Sequence, residues 1–318
     1  MQATQNQSLP IGHPLQDYVI KKVLSAGGFS VVYLAEDAGK NIVAIKEYLP
    51  TGLALRSEGS KVQANSAVAA TNFKHGLKCF FEEGRALATI EHHNIVRVLN
   101  FFRANDTVYM VMNYLEGATL QDYIITARDL KQNKVFREST IRSLFDEILR
   151  GLRIVHQHKM LHLDIKPANI YIRMDGSPVL LDFGSARQTL SATQPSLPPS
   201  YTPGFACPEQ YVDKTLLGPW SDIYSVGASM YACISRGTPP AADARRKEDK
   251  LIPAQKLGKG QYSPALLDII DSCLALDHMQ RPQSVLTLQK MLAQPIPASP
   301  PVKGGLMDKL RQYLRPDT

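Results

Sequence analysis

Cysteine is scarce in this 318-residue chain. Its four copies, Cys79, Cys207, Cys233 and Cys273, lie far apart, with no CxxC and no Cys/His pair at zinc-ligand spacing. That excludes a disulfide-stapled scaffold and a zinc ribbon, and reduced thiols are expected. Long apolar runs are missing as well. None reaches the roughly 20 residues that span a bilayer, and the polar opening MQATQNQSLP is not a secretory leader. A cytoplasmic location is expected. The net charge of +7 is spread along most of the chain and accompanies no nucleic-acid motif, so no nucleic-acid partner is expected. His92–His93 and His156–His158 lack carboxylates at matching spacing, so they are not expected to hold a metal. The hydrophobic content of 44% and charged content of 20% indicate a soluble globular chain, long enough for a two-lobed catalytic domain or two modest domains.

The stretch that organises the rest is Leu161 to Gly184, LHLDIKPANIYIRMDGSPVLLDFG. IYI and VLL are β-rich runs separated by Met-Asp-Gly-Ser-Pro, a turn signal. Two strands joined by a tight turn bring the residues before the first and after the second to one mouth. Asp164, Lys166, Asn169 and, eighteen residues after Asp164, Asp182 are placed there. Phosphoryl transfer needs a carboxylate to orient a hydroxyl, oxygen ligands for Mg²⁺ and positive charge on the moving phosphate. Asp164 suits the first task, Asn169 and Asp182 the second, Lys166 the third. Taken singly, each reads as a surface turn; as an ordered set they point to one site.

This segment resembles the catalytic and metal-binding loops of eukaryotic-like protein kinases, and the wider chain, from about 18 to 294, resembles a bacterial serine/threonine kinase of that family. The resemblance implies an α+β, two-lobed protein-kinase-like fold: a small antiparallel β-sheet lobe with one main helix, and a larger, mainly helical lobe. The expected boundaries are a flexible leader at 1–17, a small lobe at 18–113, a large lobe at 114–294, and a proline-rich linker with a short basic amphipathic tail at 295–318. Leu306, Leu310 and Leu314 in that tail suit docking on a partner, a membrane surface or the chain's own domain.

Taken in order, YVIKKVLSAGGFSVVYLAED and NIVAIKEYL read as three alternating strands. Their first turn, Ser25-Ala26-Gly27-Gly28-Phe29-Ser30, resembles the kinase glycine-rich loop, though only Gly27 stands at a motif glycine position. By resemblance Leu24, Ser25, Ala26, Gly27, Gly28, Phe29, Ser30, Val31 and Val32 cover ATP. Lys46, in Val43-Ala44-Ile45-Lys46, interrupts an apolar strand and is expected to contact the α- and β-phosphates. Residues 47–75 read as an insertion with no visible purpose. GLKCFFEEGRALATIEHHN has helical periodicity, and Glu83, nine residues before His92, matches the glutamate that pairs with that lysine; Glu82 is its competitor. Met112 would back the adenine pocket and Asn113 to Leu115 form the hinge, with Leu24, Val32, Ala44 and Tyr171 enclosing the base.

Farther on, His162-Leu163-Asp164 departs from the family's HRD. The missing arginine normally pairs with a phosphate, so a strict need for activation-segment phosphorylation is not expected. Arg187 and the hydroxyls of Ser191, Thr193, Ser196, Ser200 and Thr202 belong to that segment. Thr202 is placed near Asp164 and Lys166, Glu209 is expected to pair with Arg281, and Asp222 to accept bonds from the catalytic-loop backbone. Cys207 is expected to be a packing substitution. The expected activity is ATP- and Mg²⁺-dependent transfer of the γ-phosphate to Ser/Thr hydroxyls of protein substrates, with Mn²⁺ as a substitute metal. The alternative is a pseudokinase scaffold that binds nucleotide without turnover.

Overall fold

The structure is a computed structural model that describes residues 7–56, 59–129, 136–183, 187–188 and 201–294. It divides into two compact units. Unit 1 contains the described residues up to Glu91 and the stretch Val96–Leu115; unit 2 contains His92–Ile95 and the described residues from Glu116 onward. The expected tail at 295–318, Gly184, and Ser191, Thr193, Ser196 and Ser200 lie outside the described residues. No helix among the described residues is long and apolar enough to cross a membrane.

Unit 1 is a six-stranded antiparallel sheet with one long helix. Its strands are β1 (Pro14–Leu15), β2 (Tyr18–Ala26), β3 (Ser30–Asp37) and β4 (Ile42–Tyr48), with β7 (Val98–Ala104) and β8 (Thr107–Asn113) completing it in the order β1-β2-β3-β4-β8-β7. The three strands read from residues 18 to 48 are therefore present. Between β4 and the helix α1 (Ala67–Leu87), a small ribbon pairs β5 (Ala54–Leu55) with β6 (Gln63–Ala64).

Register assigns the two faces of the sheet. Val32 lies opposite Lys46, Leu34 opposite Ala44, and these in turn pair with Met110 and Met112. Directly paired residues share a face and neighbours along a strand alternate. One face thus carries Val32, Ala44, Lys46, Tyr48, Met110 and Met112, and the other carries Val31, Tyr33, Glu47 and Tyr109. Helix α1 packs on the first. Tyr48 stacks against Phe73 and Phe80, the Lys46 ammonium lies 5.6 Å from the Phe80 ring centroid, and Gly84 meets Met110. Gly76 is required by that packing, since a Cβ there would fall 1.8 Å from the Tyr48 hydroxyl.

Three readings of the sequence need correction here. Helix α1 begins at Ala67, nine residues earlier than its periodic stretch from Gly76 indicated. The alanine-rich run AVAATNFKH is helix, started by Ser66, whose hydroxyl accepts the Ala69 N–H at 3.1 Å. Residues 7–17, read as leader, belong to the packed unit: Leu9 and Leu15 are buried and β1 extends the sheet. Finally, Val31 and Val32 point to opposite faces, so Val31 does not share the Lys46 face.

The second face hides a polar cluster that the sequence did not disclose. Glu47 is fully buried and accepts a bidentate ion pair from Arg56 together with the hydroxyls of Tyr33 (2.7 Å) and Tyr109. Arg56 also donates to Ser60 O and Gln7 O, and the Leu9 N–H donates to the Tyr33 hydroxyl. Burial first, then the Glu47 charge, pushes both phenols above their ordinary pKa, so they remain donors.

Unit 2 is mainly helical. Helices α2 (Leu120–Asp129) and α3 (Glu138–Gln157) precede the short strand β10 (Met160–Leu161). After it come β11 (Ile170–Arg173) and β12 (Pro178–Leu180), which form the expected hairpin, with β9 (Gly117–Thr119) pairing on the outer side of β11. Strand β13 (Arg187–Gln188) pairs with β10. Helices α4 (Pro208–Val212), α5 (Pro219–Ser235), α6 (Ala242–Lys247), α7 (Ala254–Leu257), α8 (Pro264–Cys273) and α9 (Val285–Leu292) follow. Most of α5 is buried, and Gly227 fits because a Cβ would strike Cys273.

Arg56→Ala leaves the Glu47 carboxylate buried without its cation. It is expected to lower unfolding stability by about 3–5 kcal/mol, measured by urea denaturation; a loss below about 1 kcal/mol, as for a surface pair, would contradict the clamp.

Candidate active site

The loop between β10 and β11 is held by a side chain distant in sequence. Asp222, fully buried on α5, accepts the His162 N–H at 2.9 Å through Oδ2 and the Leu163 N–H at 2.7 Å through Oδ1. His156 Nε2 lies 2.7 Å from the same Oδ2. Leu163 sits at φ 61°, a conformation that bulky residues avoid. Its N–H goes to Asp222 and its C=O accepts from Gln210 Nε2 at 2.9 Å, so both of its polar groups are satisfied by side chains. Burial alone would raise the Asp222 pKa; the hydrogen bond and charge of His156, together with His162 and the Leu163 N–H, more than reverse this and leave the carboxyl below its usual range.

His162 ties this loop to the segment before Asp182. Its ring packs 4.3 Å from that of buried Phe183, and Nε2 lies 3.1 Å from Leu181 O, while Nδ1 accepts the Asp164 N–H at 3.3 Å. This pattern requires a neutral ring with its proton on Nε2. Burial lowers the His162 pKa, opposed in part by Asp222, Asp164 and Asp182. The Leu181 N–H donates to Asn169 O at 2.8 Å, and Asp182 itself stands at φ 53°. Asp164, Asn169 and Asp182 therefore belong to one bonded framework.

Asp164 is oriented at both oxygens. Oδ2 accepts from Lys166 Nζ at 2.8 Å and from Asn169 Nδ2 at 3.0 Å; Oδ1 accepts the Thr202 hydroxyl at 2.8 Å. Lys166 Nζ also donates to Thr202 Oγ1, at 2.7 Å. An alcohol is thus gripped by a carboxylate oxygen and an ammonium together. Tyr201, next in chain, stacks on Tyr211 with centroids 4.4 Å apart. Asn169 spends its amide hydrogens on Asp164 Oδ2 and O, which leaves the amide oxygen as its acceptor. With the Asp182 carboxylate that makes an all-oxygen donor set, and this fits a hard cation such as Mg²⁺.

Behind this loop, Glu209 forms a buried pair with Arg281 at 2.7 and 3.0 Å and accepts the Ser221 hydroxyl. Cys207 is buried, its thiol pushed up by burial and donating to Gln210 Oε1, which makes it a packing residue with little thiolate. Tyr171, half-buried on β11, pairs with Val179 and Thr119. The His92 and His93 rings stack on each other.

In unit 1 the sheet carries Lys46 on the helix-facing side with Val32, Ala44 and Met112. On α1, Glu83 is buried and Glu82 is exposed beside Lys78. Leu24, Ser25, Ala26, Gly27, Gly28 and Phe29 are exposed, Ser30 is half-buried, and Asn113 ends β8 with half-buried Leu115 two residues on. Met110 was not anticipated, although its register opposite Lys46 puts it on the same face as Met112. His156 and Gln210 were also missed as supports of the loop; His156 carried no signal beyond its place at the end of a helix.

Comparison with known proteins agrees with this architecture. The protein kinase domain family matches residues 18–295, and the chain belongs to that family. Among curated relatives, serine/threonine-protein kinase PknA of Nostoc is 27% identical over 296 residues, covering 89% of this chain and 48% of the relative. Serine/threonine-protein kinase B of Synechocystis is 26% identical, covering 72% and 38%. The chain thus spans about half, or less, of the length of these relatives. A solved structure of PpkA-294 in its apo form is 35% identical with a TM-score of 0.78, covering 90% of this chain and 99% of that one. The Mycobacterium tuberculosis PknI kinase domain, 18% identical with a TM-score of 0.64 and coverage of 90% and 98%, shares the fold.

Because His162 is held neutral, the unfolded chain binds more protons than the folded one below the ordinary histidine value of 6.5. Stability is therefore complete above that pH and declines as pH falls from about 6.5, by up to about 1.4 kcal/mol per pH unit for this group. His92, also lowered, chiefly by burial, adds in the same direction. Asp222 and Glu209, whose pKa values are depressed, lose their contributions only in the more acidic carboxylate range. Urea unfolding of His162→Gln between pH 7 and 5 is expected to show a shallower slope than wild type; an unchanged slope would mean that His162 is not the neutral group described.

Proposed function

We propose that this domain is an ATP- and Mg²⁺-dependent protein kinase that phosphorylates serine or threonine hydroxyls of proteins. The observation that carries the reading is the grip on Thr202. Asp164 Oδ1 and Lys166 Nζ already hold an aliphatic hydroxyl, donor to the one and acceptor from the other. A substrate hydroxyl in Thr202's place meets a carboxylate that orients it and takes its proton, and an ammonium suited to charge on the transferred phosphate. Its bacterial relatives are named as serine/threonine kinases, which supports the same acceptor class.

On this reading Asn169 and Asp182 hold Mg²⁺, which when bound offsets negative charge on the β- and γ-phosphates. Lys46, positioned by Glu83, is assigned to the α- and β-phosphates. Leu24, Val32, Ala44, Met112 and Tyr171 are assigned to adenine, and Asn113 and Leu115 to its hinge contacts. Val31 is left out of the set, because its side chain is buried on the opposite face. No arginine precedes Asp164, so activity is assigned without a strict requirement for phosphorylation of the activation segment.

The test is labelled-phosphate transfer from Mg-ATP to a mixed protein substrate by the purified full chain. Asp164→Asn is expected to reduce kcat by about 10²–10⁴-fold while calorimetric ATP affinity survives. Lys46→Met is expected to lose turnover with its circular dichroism intact. Wild-type transfer by the Asp164 variant would remove that residue's assigned role, and nucleotide binding without transfer by the unaltered chain would indicate a scaffold.

A further inference from the structure

Residues 49–56 and 59–66, which a short strand-to-helix connection would not need, touch three parts of unit 1 that bear on the ATP assignment. The Leu49 N–H donates to Phe29 O at 3.0 Å, and the Thr51 N–H to Gly28 O at 2.9 Å. The Thr51 hydroxyl donates to that same Gly28 oxygen at 3.2 Å. Asn65 Nδ2 donates to Thr51 O at 3.3 Å, the Asn65 N–H to Leu53 O at 2.9 Å, and the next residue, Ser66, caps α1. Arg56 in the same stretch clamps Glu47, the neighbour of Lys46. One segment thus links the glycine-rich turn, the Lys46 strand and the start of the helix that carries Glu83.

The bonds fall where the turn is weakest in sequence. Only Gly27 stands at a motif glycine, and serines flank it. A Cβ at Gly28 would meet nothing within 4 Å and one at Gly27 only Ser30 O at 3.8 Å. Neither glycine is demanded by local packing, and within the turn itself the Gly27 N–H donates to Ser30 O at 2.9 Å. The peptide between Gly28 and Phe29 is trans, as no cis bond occurs among the described residues. Carbonyl and N–H of a trans peptide point in opposite directions. Two donors fixing Gly28 O toward Thr51 therefore fix the Phe29 N–H away from it.

We propose that residues 49–56 and 59–66 form a brace for the glycine-rich turn, in which Thr51 is a positioning residue that presents the Phe29 N–H to the phosphates of ATP. The proposal rests on the kinase reading above. The brace replaces order that further glycine-specific turn geometry would supply, and it is built in, independent of modification. Because Thr51 is exposed, its replacement leaves the core of the unit intact.

The test compares wild type with Thr51→Val, which keeps shape and loses the hydroxyl donor, and Thr51→Ser, which restores it. Calorimetry with Mg-ATP and steady-state kinetics are read beside amide exchange of residues 26–31 without nucleotide. Thr51→Val is expected to raise Kd and KM for ATP about two- to tenfold, the weight of one hydrogen bond, with kcat little changed and faster exchange in the turn. Thr51→Ser is expected to return all three towards wild type. Equal affinity and exchange in the valine variant, or no rescue by serine, would overturn the brace. A wild-type chain that binds no Mg-ATP would instead overturn the kinase reading and the ligand named here, and the exchange comparison would then decide the brace alone.

Discussion

Asp222 lies on α5, with no exposed surface, and its two oxygens take up the backbone of the loop that carries Asp164. A buried carboxylate costs several kcal/mol unless its lone pairs are satisfied, and here His156 and two N–H groups satisfy them. The same bonds hold Leu163 in a left-handed conformation that its side chain disfavours. The helix buries its apolar length and carries one charge inward, and the loop turns two of its N–H groups to meet it. From this point the order is passed on by short hydrogen bonds, through His162 to Leu181 and through Asn169 to Asp164.

The chemistry inherits this rigidity. Asp164 is not a lone surface acid: one oxygen is committed to Lys166 and Asn169, and the other is left to face a hydroxyl. An orienting carboxylate works by fixed geometry, since placement accounts for much of the barrier lowered in phosphoryl transfer. Unit 1 uses a comparable device, again with a buried carboxylate at its centre. Glu47 collects Arg56, Tyr33 and Tyr109 on the face opposite Lys46. In unit 1 Lys46 adjoins buried Glu47 in the chain, and in unit 2 Asp164 adjoins Leu163, whose N–H bonds to buried Asp222.

Much of the site was legible in the sequence because its members are local. Asp164, Lys166, Asn169 and Asp182 fall within one hairpin, and a turn signal between two β-rich runs is enough to bring them together. Partners distant along the chain were less accessible. Arg56 in a stretch of Ser and Gly looks solvated until Glu47 and two tyrosines are seen converging on it. The start of α1 was hidden by composition: an alanine-rich run with Ser and Asn reads as a loop, although Ser66 stood ready as a cap. The error at Val31 has a different origin. Alternation along a strand already separates Val31 from Val32, and the likeness to a glycine-rich loop carried both into one site against that rule.

The most direct measurement is the single-turnover rate of Asp222→Asn with Mg-ATP, read together with its ATP affinity and circular dichroism. An amide at this position sets an NH2 group against one of the two backbone N–H groups, of His162 or of Leu163, and loosens the loop. The account predicts a fall in phosphoryl transfer of at least about 10²-fold, with helix content and nucleotide affinity retained. Transfer at the wild-type rate by a folded Asp222→Asn protein would show that the loop does not depend on this carboxylate, and would contradict the account.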